Sequence, residues 1–163
     1  MKLRKRMRAK HNKQGFTLIE ILIVFAIVIL LGIISMVNLQ GSKNETDLND
    51  AAKQVVVLLR QAQNQAASGY QGVAWGVHFV NATTSFYALF SSAYSSATVA
   101  GQYLLPTTVA FRTSTIPTGS SLDIVFGTLS GAASVSTTIG LYSKVQSSFS
   151  STISVASSGQ VSF

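Results

Sequence analysis

The chain has 163 residues, 47% hydrophobic and 10% charged, with no cysteine and a formal charge of +7. That length and composition allow one domain plus a tail or anchor, and they exclude a disulfide scaffold and a disordered acidic or basic protein. The charge is uneven: Lys2, Arg4, Lys5, Arg6, Arg8, Lys10 and Lys13 precede Phe16 with no acid among them. In the remainder, Lys43, Lys53, Arg60, Arg112 and Lys144 balance Glu20, Glu45, Asp47, Asp50 and Asp123. The basic character is therefore a property of a short N-terminal tail, and the body sums to zero.

After the tail comes FTLIEILIVFAIVILLGIISMVNL, where Leu18 to Val37 is interrupted by one charge, Glu20, and one hydroxyl, Ser35. A helix from Phe16 to Leu39 would be roughly 36 Å long, against a hydrocarbon thickness of about 30 Å. Such a helix is predicted to span a bilayer, because a core helix seldom runs this long while apolar on every face. The basic tail is retained on the cytoplasmic side, which puts the C-terminal body outside. A secretory signal would place its small-residue cleavage site after the apolar stretch. Here Gly15 stands before it, so a cut there would remove the charged tail and leave the helix attached.

The run Lys13-Gln14-Gly15-Phe16-Thr17-Leu18-Ile19-Glu20, followed by the long apolar helix, resembles the cleavage and methylation motif of type IV pilins and type II secretion pseudopilins. The resemblance covers about the first quarter of the chain. It implies that a prepilin peptidase cuts between Gly15 and Phe16 and methylates the new amine of Phe16. Glu20 has a reading of its own: a carboxylate just inside an apolar span is costly unless it is paired or lies at the interface. Four residues separate it from Phe16, which permits an intrachain contact along one helix face. The resemblance implies instead that Glu20 meets the Phe16 amine of a neighbouring subunit and sets the assembly register.

Gly32 and the stretch from Asn38 to Asn44 weaken the helical pattern, with Gly41 and Ser42 as points where a kink or local melting is expected. From Asp47 the pattern resumes, with Leu48, Ala52, Val55, Leu59, Ala62 and Ala66 at three to four residue spacing and Gly69 as the C-terminal cap. Beyond Gly72 the composition turns to Ser, Thr, Gly and β-favouring residues. Strands are predicted at Val73 to Val80, Phe86 to Phe90, Thr108 to Phe111, Leu122 to Phe126, Thr137 to Tyr142, Thr152 to Ala156 and Val161 to Phe163. Trp75, Val77 and Phe79 share one face, with Gly76 and His78 on the other. Ser157 to Gln160 reads as the turn of a closing hairpin. The expected class is α+β: a long N-terminal helix, membrane-spanning then amphipathic, packed on antiparallel sheet. The expected divisions are 1–15 leader, 16–40 transmembrane and assembly helix, 41–71 amphipathic helix and 72–163 extracytoplasmic β-rich head. That order, with Ile153, Val155, Gly159 and Val161 spaced as I-x-V-x-x-x-G-x-V, is similar to GspH/FimT-type minor pseudopilins. The hydroxyl-rich turns suit a major pilin or another exported β domain equally.

Catalytic and cofactor chemistry finds little support. His11 lies in the leader, His78 stands alone and reads as a surface residue, and Asp123 has no second acid nearby in its strand. There is no G-x-S-x-G elbow and no P-loop. Asn44-Glu45-Thr46 and Asn81-Ala82-Thr83 match a glycosylation pattern that arises often by chance. No cofactor or enzymatic activity is expected. The function implied is a structural subunit of a pilus-like filament in the bacterial inner membrane, a minor pseudopilin of type II secretion. The alternatives are a type IV pilus minor pilin, acting in adhesion, motility or DNA uptake, and an uncleaved membrane-anchored β domain. The resemblance implies prepilin peptidase, other pilins or pseudopilins, an assembly ATPase and a platform protein as partners. DNA is not expected, because the neutral body offers only scattered cations such as Arg112 and Lys144.

Overall fold

The computed structural model describes residues 16–163, and side chains for all of these except residues 34–41. The chain divides into two units, residues 1–39 and 40–163. One helix, α1 (Leu18–Ala67), contributes to both. The loosening expected between Asn38 and Asn44 is not found, since helical backbone runs through it. Gly and Ser cost a helix only about 0.5–1 kcal/mol each relative to Ala, which neighbouring turns absorb. Thr46 donates its hydroxyl to the Ser42 carbonyl one turn back at 2.9 Å, a bond compatible with helix.

In the first unit the side chains from Phe16 to Ile33 are exposed, with the hydrophobic ones on every side of the helix. Among the described residues no helix is long and apolar enough to cross a membrane. The span read from the sequence extends into residues 34–37, whose side chains lie outside the described ones, as does the whole leader.

In the second unit the three-to-four spacing has its expected consequence: Ala52, Val55, Leu59, Ala62 and Ala66 are fully buried, and Leu48 nearly so. The helix stops at Ala67, and Gly69 takes a left-handed φ of 67° before a single 3-10 turn (Tyr70–Gly72). Eight strands follow: β1 (Trp75–Asn81), β2 (Phe86–Ser91), β3 (Val99–Leu104), β4 (Val109–Phe111), β5 (Ser120–Phe126), β6 (Thr137–Ser143), β7 (Ser150–Val155) and β8 (Val161–Ser162). They form two antiparallel sheets, ordered β3-β2-β1-β5 and β4-β6-β7-β8. Seven of the eight coincide with the strands read from the sequence. The missed one, β3, is an edge strand with little buried surface of its own, so it carries no alternation to read.

The buried face of α1 meets Val77, Phe79, Tyr87 and Leu89 from the first sheet and Phe111, Ile139, Leu141, Ile153 and Val155 from the second in one apolar core. Polar ties set the registers around it. Arg60 donates to the Val161 carbonyl at 3.2 Å, and the Leu129 amide donates to the Ala66 carbonyl at 2.8 Å. Asn81, on β1, donates its amide to the Ile116 carbonyl at 2.6 Å, and its own carbonyl accepts from the Gly119 amide. The closing hairpin forms as expected, with Gly159 at φ 89° in its turn. A Cβ there would stand 2.0 Å from the Gly131 carbonyl oxygen, so both conformation and space require glycine.

Candidate functional site

The N-terminus of α1 is built from Thr17. Its hydroxyl accepts from the Glu20 amide at 3.3 Å, and its carbonyl accepts from the amides of Glu20 and Ile21 at 3.1 and 3.3 Å. Thr17-x-x-Glu20 has the spacing of a capping box, with the acid in the positive first turn of the helix. This local role stands beside the assembly role that the resemblance implies for Glu20, and the T-x-x-E spacing is its signal in the sequence. Phe16 stands just outside the helix and is 79% exposed. Gly15 lies outside the described residues. Glu20 and the Phe16 main chain thus sit at one end of a helix whose flanks carry Leu18, Ile19, Leu22 and Phe25, all exposed. An apolar surface of this kind, polar only at its tip, is stable in a lipid or protein environment rather than in water.

His78 is not a lone surface residue. It is 7% exposed, faces Asp123 across the β1–β5 pair, and contacts the Asp123 carboxylate through Nδ1. Its ring stacks on Tyr94 at 3.5 Å between centroids and 11° between planes. Cross-strand register brought these groups together, and their sequence separation hid it. The cluster pins the β2–β3 loop onto the outer face of the first sheet. Among the described residues no group of three His, Asp or Glu side chains is close enough to hold a metal ion.

Arg112 and Lys144 remain scattered, for the antiparallel pairing of β4 with β6 puts them at opposite ends of that strand pair. The Arg112 amide donates to Gly140 at 2.7 Å, and the Lys144 amide donates to Thr108 at 2.8 Å. The Arg112 stem lies across Gly140, where a Cβ would come within 2.9 Å of it. Arg112, Thr113, Ser114, Tyr142 and Ser147 line a shallow polar depression of about 330 Å³. Asn81 is buried with its amide engaged, so its Asn-x-Thr triplet serves the fold.

A second depression, about 270 Å³ and mainly apolar, runs between α1 and the first sheet, lined by Lys53, Gln54, Val57, Leu58, Gln61, Tyr87 and Tyr103. The Tyr87 hydroxyl donates to Gln54 Oε1 at 3.3 Å, and its ring stacks on Tyr103 at 5.6 Å. Burial pushes the Tyr87 hydroxyl above its ordinary pKa, and Tyr103 beside it adds to the rise.

Residues 10–36 match the prokaryotic N-terminal methylation motif. No curated protein matches the sequence. The fold is similar to crystal structures of the type IV minor pilin FimU of Pseudomonas aeruginosa strain PAO1 in two crystal forms, each at 15% identity. One match covers 71% of this chain and 90% of that one with a TM-score of 0.52, and the other covers 72% and 87% with 0.53. At that identity the likeness is one of fold. The chain thus carries a methylation motif and, in its head, a helix packed on antiparallel sheets as in the pilin-like fold of FimU.

Proposed function

We propose that this chain is a minor subunit of a type IV pilus-like filament, processed and assembled through its N-terminal helix. The observation that carries the proposal is the match of residues 10–36 to the methylation motif, which includes the start of a helix apolar on every side. Prepilin peptidase hydrolyses the Gly15–Phe16 bond, whose glycine suits a confined subsite, and the freed amine of Phe16 is methylated. Residues 16–40 hold the subunit in the bacterial inner membrane by a single pass, with the head at 72–163 extracytoplasmic. Removing the basic leader also removes the charges that anchor this end at the cytoplasmic face.

During assembly, driven by an ATPase through a platform protein, helices that faced lipid bury one another among other pilins. Glu20 of one subunit meets the Phe16 amine of its neighbour. In the apolar filament core such a pair fixes register, because breaking one by removing a partner costs about 3–5 kcal/mol. The spacing of Ile153, Val155, Gly159 and Val161 supports a minor pseudopilin of type II secretion. The likeness to FimU supports a type IV pilus minor pilin.

The test is the mass and N-terminal residue of the chain made with and without a prepilin peptidase. The expected product begins at methylated Phe16, and Gly15→Val abolishes it. Glu20→Ala is expected to be cleaved and yet left out of filaments. A chain uncut under both conditions would sink the proposal in favour of a membrane-anchored β domain. Loss of exoprotein release against loss of surface pili, on deletion of the gene, then separates the two filament systems.

A further inference from the structure

β3 ends the first sheet and leaves an open edge. The other edges are short, as β4 and β8 are, or partly covered, as at β5, where Phe126 bridges Ala133 and Val125 bonds Ser134. β3 reads Val-Ala-Gly-Gln-Tyr-Leu and carries no charge and no proline, the usual protections of an exposed edge. A bulge near Ala100 is its one irregularity, and it leaves Gly101 to Leu104 regular. The Leu105 amide bonds to the Ser85 carbonyl, and the register Tyr103↔Tyr87 and Gly101↔Leu89 continues that pairing toward β2. The main-chain groups of Gln102 and Leu104 therefore point outward, since alternate residues face opposite ways across a ladder.

We propose that this edge pairs antiparallel with β3 of a second copy of the chain, about a twofold axis at Gln102. The strand's own size pattern names the occupant. With Gln102 opposite Gln102 of the copy, Tyr103 falls opposite Gly101 and Gly101 opposite Tyr103. An aromatic ring laid over a cross-strand glycine is a favourable pair, and here it occurs twice by symmetry. Tyr103 is 45% exposed and covers its own Gly101, with its hydroxyl 3.2 Å from where a Cβ would stand, so on pairing each ring swings from its own glycine to that of the copy. An uncharged strand also meets its copy without like-charge opposition.

An axis normal to the sheet keeps both helix faces on the same side. The apolar depressions, with Val57 64% exposed at the lip, then join into one strip covered by the paired Tyr103 rings. The nearest cation, Lys53, is within 3.8 Å of Asp50 on its own helix, so no net charge opposes closure. The same axis turns the helix of the copy end for end. The contact goes beyond the filament role and does not depend on leader cleavage.

The chain has no cysteine, so Gln102→Cys introduces a single thiol. Opposed residues of a hydrogen-bonded pair lie about 5.5 Å apart between Cα atoms. A short bifunctional thiol reagent is expected to link Gln102→Cys chains in mild detergent into dimers, while Ser121→Cys on the other edge stays monomeric. Adding Gly101→Val to Gln102→Cys is expected to lower the yield about tenfold, since it strikes both symmetric pairs. Circular dichroism of each variant confirms that the fold persists. Unlinked, folded Gln102→Cys overturns the proposal. So does equal linking at Ser121→Cys, which would mean association through the apolar helices, or linking in cells only to a different protein, which would give the edge to another partner.

Discussion

Tyr87 joins a buried ring to a hydroxyl at the wall of an apolar depression, and that position has a pH signature. Its pKa is raised in the folded chain, first by burial and then by Tyr103, so above the ordinary tyrosine value of about 10 the unfolded chain loses its proton before the folded one. The folded state then binds more protons than the unfolded state, and stability falls as pH climbs from that value through the raised one. Below pH 10 this contribution is fully present. Tyr87→Phe is expected to remove that part of the alkaline slope in urea unfolding measured from pH 8 to 11.5, and to cost about 1 kcal/mol at pH 7 through loss of the Gln54 hydrogen bond. An unchanged slope would put the hydroxyl in water. His78 teaches a related lesson: forty-five residues of chain separate it from Asp123, and only the β1–β5 register makes them a pair.

At the scale of the element, α1 shows how one sequence pattern serves two environments. Up to Ile33 apolar residues occupy every side and are exposed, whereas beyond Asp47 they keep to one stripe and are buried. That stripe is where stability resides. Leu59→Ala, at a fully buried site in the core shared by both sheets, is expected to cost about 2–5 kcal/mol. Val57→Ala, two residues away and exposed, is expected to stay within about 0.5 kcal/mol. Denaturant midpoints of the two variants, measured in mild detergent, check the contrast. The strands divide the same way. β1 and β6 were legible because they bury large side chains on one face. β3 was illegible because it exists through its hydrogen bonds to β2.

For the whole molecule, the core that α1 shares with the two sheets draws its buried residues from Leu48 to Val161, all within the unit of residues 40–163. A chain beginning at residue 40 is therefore expected to fold cooperatively and stay in the aqueous phase of a detergent partition, while the full chain enters the detergent phase. Aggregation of the shortened chain would mean that the first unit contributes to the stability of the second. Under the proposed function this division is a division of labour: the helix tip is processed and buried in a filament, and the head presents its faces outside.

The N-terminal motif, the charge asymmetry, the apolar run and the stripe that follows it were determined by the sequence alone, because each is a local pattern that the chain carries whatever it packs against. The α+β class and seven of the eight strands followed from the same periodicities. The pairing of His78 with Asp123, the alignment of Arg112 with Gly140, the open edge at β3 and the size match of Tyr103 to Gly101 were decided by tertiary structure. Each depends on which strands are neighbours and in what register, and register is set by the shared burial of residues far apart in the chain.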